Sequence, residues 1–178
     1  MVNIIVEISK YLMILLITMY TYHCFSIFGY YDPYIQKRML RKQNVLMFMI
    51  HIVAFAVMYL EKKDVKILAF YAIQVILFVA VILLYHMLYP QSSRLVINNM
   101  CMLLCIGMII LTRLNYEKAV KQYVIAAGGI AISLAVPVII RKFKLLSEWR
   151  KLYAAAGIAS LAIVVVVGQV SYGAKLGF

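Results

Sequence analysis

The chain has 178 residues, 66% of them apolar or aromatic, and 18 Lys and Arg against 6 Asp and Glu leave a formal net charge of +12. Charged residues make up 13% and mean hydropathy is +0.97, whereas soluble domains carry roughly 25% charged residues to stay in solution. These values exclude a soluble globular domain, a disordered chain and a disulfide scaffold, and they predict an all-α, polytopic transmembrane helix bundle.

A membrane helix needs about 20 apolar residues to cross roughly 30 Å of hydrocarbon. Six such stretches fit the chain, with edges near Tyr11–Phe28, Val45–Leu60, Ile67–Leu88, Leu95–Thr112, Tyr123–Ile140 and Leu152–Val170. The runs do not alternate apolar with polar residues, so helices and not barrel strands are expected. The start MVNIIVEISK carries Glu7 and Lys10 with no small-residue cleavage site after the apolar run, so the first span is expected to stay in the mature chain.

The connections predicted between spans are short. Gly29–Asn44 holds Asp32-Pro33 and the run QKRMLRK; EKKDVK is a tight charged turn; YPQSSR turns at Pro90. RLNYEKAVKQ, Arg113 to Gln122, is read as a loop, and RKFKLLSEWRK as a basic one. On alternate sides, Lys37, Arg38, Arg41, Lys42, Arg94, Arg141, Lys142, Lys144, Arg150 and Lys151 oppose Lys10, Lys62, Lys63, Lys66, Arg113, Lys118, Lys121 and Lys175. The first set holds the two densest clusters. Lys and Arg concentrate in cytoplasmic loops, so that side is expected in the cytoplasm and both termini outside. The same rule, with anionic lipid, accounts for the net charge, and nucleic acid is not an expected partner.

Helix packing leaves its own trace. Ala127, Ala131 and Ala135 repeat every four residues on the fifth span, and Ala155 and Ala159 on the sixth. Small residues at that spacing let two backbones approach closely, predicting a tight hairpin. Pro137 should kink the fifth span. Ten of the 14 tyrosines fall at or near predicted span ends, where the ring suits the headgroup layer.

Candidates for chemistry are few. His23, His51 and His86 are scattered over three spans, and a lone membrane His is more often a helix–helix hydrogen-bonding partner than a proton relay. Cys101 and Cys105 share a helix face but have no His or carboxylate beside them, so no metal site and no cofactor is expected. Glu117 and Lys121 are read as a helix-surface pair. Taken alone, these residues form no complete active site.

NNMCMLLCIGMIILTRLNYEKAVKQ, Asn98 to Gln122, resembles the first core span and following loop of the SEDS (shape, elongation, division and sporulation) family, which includes FtsW, RodA and SpoVE. The matching features are Gly107 within the span, then Arg113-Leu114-Asn115, then Lys121-Gln122. VPVIIRKFKLL resembles the end of the next family span, and SYGAKLGF the step that in the family leads into a Phe-Gln-Pro-Ser-Glu motif. The resemblance covers about Asn98 to Phe178. It implies an N-terminal three-span extension over 1–94 and the first three core spans over 95–178.

The resemblance also implies a parent protein that polymerises the lipid-linked disaccharide lipid II outside a bacterial plasma membrane, beside a class B penicillin-binding protein. The family's essential Asp lies beyond the segments matched here, so no catalytic residue carries over and the fragment alone is expected to be inactive. Arg113, Lys121, Gln122 and Lys175 match positions near the family's outward-facing substrate cavity, where cations would attract a lipid pyrophosphate. Two other readings fit the residues: a six-span accessory protein that binds a partner or lipid through its Ala-rich faces, and a small transporter using His51.

Overall fold

A computed structural model of the chain describes residues 2–142 and 153–163. Among these residues every element is helical: α1 (Val2–Ser26), a one-turn 3-10 helix (Ile27–Gly29), α2 (Pro33–Lys62), α3 (Val65–Leu88), α4 (Arg94–Leu114), α5 (Tyr116–Lys142) and α6 (Tyr153–Ile163). The all-α bundle is as expected. The first five helices are long and apolar enough to cross a membrane. The predicted sixth span is represented by α6, and its remainder lies outside the described residues.

Helix ends follow from capping chemistry. Asp32 accepts a hydrogen bond from the Tyr34 backbone N–H at 2.8 Å, with Pro33 in the first turn of α2. Asp64 does the same for Lys66 at 2.9 Å at the start of α3, and Asn115 accepts from Lys118 N–H at 3.0 Å at the start of α5. Lys63 closes α2 in a left-handed conformation, φ 50°, its N–H donating to Tyr59 O at 2.7 Å.

Two predicted loops are therefore corrected. QKRMLRK is helical, because the Asp32-Pro33 cap starts α2 well before its apolar stretch. YEKAVKQ is helical too, because Asn115 starts α5 immediately after α4 ends. The structure also shows no ion pair between Glu117 and Lys121; among the described residues the ion pair is Lys10–Glu7, 2.6 Å. α5 runs through Pro137 without ending.

Residues 1–130 form one compact unit, with α2 packed on α1, α3 and α4. Its buried face reads Gln43, Leu46, Met47, Ile50, His51, Ala54, Phe55 and Met58, the three-and-four spacing of one helix stripe. Near the end that holds Lys63 and Asn115, Phe55, Met58, Ile67, Phe70 and Ala119 make an apolar core, with Tyr116 and Tyr123 edge-on to Phe70. The described residues of the second unit, 131–142 and 153–163, are helical.

The bundle buries polar side chains among its apolar core and turns large apolar side chains outward. Gln43, His51 and Gln74 are 0% exposed, while Leu103 is 72% and Ile76 68% exposed. In water this distribution would be unfavourable on both counts. In lipid it is the favoured one, because tails solvate the apolar exterior and polar groups must pair within the bundle.

Candidate functional site

Two buried polar clusters join the first four helices. In the first, the Tyr20 hydroxyl (α1) donates to Asn99 Oδ1 (α4) at 3.0 Å, and Cys24 Sγ (α1) reaches the same oxygen at 3.2 Å. Gln43 Nε2 (α2) lies 3.6 Å from Cys24 Sγ. Asn98 Nδ2 (α4) donates to Gln43 Oε1 and to the Leu40 carbonyl, both at 3.1 Å. Three helices are thus tied by one continuous set of hydrogen bonds.

The second cluster is His51 on α2 and Gln74 on α3, with Nε2 and Oε1 3.0 Å apart. Phe55, Tyr71 and Phe78 close around the imidazole, their ring centroids 4.8, 5.0 and 5.5 Å away. The structure thus gives His51 the helix–helix hydrogen-bonding role its sequence context suggests. The pair leaves His51 Nδ1 and Gln74 Nε2 buried with no protein partner.

The basic residues of α2 divide by helical spacing. Lys37 and Arg41 line a cavity of about 140 Å³ between α2, α3 and α4, shared with His86 and Arg94. Arg38 and Lys42 line a wider cleft of about 490 Å³ against α1, beside His23, which Arg41 also borders. Read as a loop, QKRMLRK shows only its charge; read as a helix, it presents that charge on two faces.

The sequence-derived site residues are spread out. Arg113 is exposed in the last turn of α4, its carbonyl 3.5 Å from Lys62 Nζ. Lys121 and Gln122 are exposed on α5, and Gln122 borders an open groove with Gly107. Arg113 instead borders a cleft of about 300 Å³ between α1, α2 and α4 that includes Lys10 and Glu61. Lys175 lies outside the described residues, as do Lys144, Arg150, Lys151 and the segment SYGAKLGF. Ala131, Ala135, Ala155 and Ala159 are exposed, and Ala127 is half-buried.

Sequence reasoning missed Gln43, placed in a loop, and the pairing of Asn98 and Asn99 with α1 and α2. The signal was present: Lys37, Leu40, Gln43 and Met47 follow helical spacing from the Asp32-Pro33 cap. Cys101 and Cys105 are fully buried free thiols and Cys24 is half-buried. Among the described residues, no group of three or more His, Cys, Asp or Glu could hold a metal ion.

The fold and its internal polar network define a multi-pass membrane protein. No protein-family model, no curated protein and no solved structure matches the chain.

Proposed function

We propose that this chain is the N-terminal membrane part of a SEDS-type peptidoglycan glycosyltransferase of a bacterial plasma membrane, whose parent polymerises lipid II beside a class B penicillin-binding protein. One observation carries the reading: Gly107, Arg113-Leu114-Asn115 and Lys121-Gln122 occur in the family's order. The helix ends support it. The Arg-Leu-Asn step falls at the α4–α5 junction, and its third residue caps α5 through its side chain. Asn and Asp, the two residues the family uses there, are among the side chains that cap best.

In this reading the end of the bundle holding Lys63 and Asn115 faces outward, and the end holding Lys37, Arg41 and Arg94 faces the cytoplasm. Arg113, Lys121 and Lys175 would attract the substrate pyrophosphate by charge. The test begins by reading the coding frame past Phe178 for Phe-Gln-Pro-Ser-Glu, then assays lipid II polymerisation by the full-length product. Polymerisation that falls in Arg113→Gln and Lys175→Gln variants supports both activity and rim. Polymerisation unchanged in both removes the rim. A frame without the motif, or a parent without polymerase activity, overturns the reading.

A second reading, a non-catalytic accessory protein, is favoured by the exposed small side chains of Ala131, Ala135, Ala155 and Ala159. It expects a partner protein to co-purify in stoichiometric amount and to be lost when Ala131 and Ala135 become Leu.

A further inference from the structure

The cavity between α2, α3 and α4 has a composition that the proposed function leaves unused. Lys37 and Arg41 come from α2, His86 from α3 and Arg94 from α4, with Arg94 Nη2 3.4 Å from His86 Nε2. Cations from two helices, with an imidazole from a third, thus converge on one space of about 140 Å³, and among the described residues no carboxylate lines it. Asp32, the acid nearest in sequence to Lys37 and Arg41, has a side-chain oxygen engaged in capping α2. Like charges gathered without a counter-charge repel one another, so the space favours an anion.

One further feature favours an anion. α4 begins at this cavity, and Ser93 at its N-cap makes no side-chain cap hydrogen bond. The first-turn N–H groups of α4 are therefore not capped by that hydroxyl, and they add the positive end of a helix dipole.

We propose that this cavity binds an anionic phosphate ester, the chemistry of an anionic phospholipid headgroup. The volume is below the roughly 300–1,000 Å³ of pockets for drug-sized ligands, which fits a headgroup and leaves acyl chains outside. Such a ligand would reach the site either as an anionic phospholipid or as a water-soluble phosphate ester. Snorkelling of separate basic residues to the interface accounts for their charge. It does not account for the convergence of Lys37, Arg41 and Arg94, from two helices, on one cavity.

The test uses the purified chain in detergent micelles and native mass spectrometry, with dihexanoylphosphatidylglycerol and dihexanoylphosphatidylcholine as probes. Preferential retention of the phosphatidylglycerol is expected, falling as ammonium acetate is raised. The double variant R41Q/R94Q should lower retention about tenfold or more. R41K/R94K, which keeps the charge, should retain binding, and Lys66→Gln at the opposite end should leave it unchanged. Displacement of bound lipid by glycerol 3-phosphate identifies a soluble ester as the ligand; persistence of the lipid identifies the membrane-borne form. Equal retention of both lipids by the wild type, or undiminished phosphatidylglycerol retention by R41Q/R94Q, overturns the proposal. The salt dependence and the comparison of the two lipids need no variant, so a variant that fails to fold leaves the proposal open to refutation.

Discussion

His51 on α2 and Gln74 on α3 are hydrogen-bonded at 3.0 Å with neither side chain exposed. The contact fixes the register of two helices, because a slide of either by one residue would take one partner out of reach. Removing one partner strands the other in an apolar, ring-lined space. His51→Phe and Gln74→Leu should each destabilise the bundle by about 1–3 kcal/mol. The double variant should lose less than the sum, since no polar group is then left unpaired. Unfolding in mixed micelles measures all three, and strict additivity would show that the contact contributes nothing.

Asn98 donates to both Gln43 Oε1 and Leu40 O, so its loss affects α2 at two points. Asn98→Leu should cost more than Asn99→Leu, by about 1 kcal/mol. Asn99 is half-buried and meets α1 alone, through Tyr20 and Cys24. The same unfolding assay ranks the two.

Thiol accessibility follows burial. Cys24 is half-buried, while Cys101 and Cys105 are fully buried. N-ethylmaleimide should modify Cys24 first in the folded chain and reach the other two only after unfolding in dodecyl sulfate. Mass mapping of the modified peptides checks the order, and early modification of Cys105 would contradict the packing of α4.

Lys63 holds a left-handed backbone, φ 50°, where a side chain is disfavoured and glycine is not. Lys63→Gly should stabilise by up to about 1 kcal/mol. Asp32→Ala, which removes the cap of α2, should destabilise by about 0.5–2 kcal/mol. Opposite signs from two substitutions at the two ends of one helix make a compact check on the capping scheme by thermal unfolding.

Most of the architecture was legible from apolar run length, because lipid imposes it: a segment that must be helical across the hydrocarbon announces itself by composition. The helix ends were less legible. Hydropathy marks where a helix enters lipid, not where it begins, and interfacial turns of α2 and α5 are polar without penalty. Asp32-Pro33 and Asn115 were the readable markers. The internal network was illegible for a different reason. That Gln43 meets Asn98, and Tyr20 meets Asn99, depends on which faces pack together. A single sequence states the faces but not their partners.

Gln43 meets its Asn98 partner 55 residues further along the chain. During synthesis, then, α2 enters the bilayer well before α4 is made, with a fully buried amide of the finished bundle still unanswered. The interval imposes an order on biogenesis. Until α4 arrives, the face of α2 that meets it is a polar seam, and Asn98 closes it. A nascent chain halted before Arg94 would carry that seam exposed to lipid, as the kind of signal by which cells distinguish unfinished membrane proteins from finished ones.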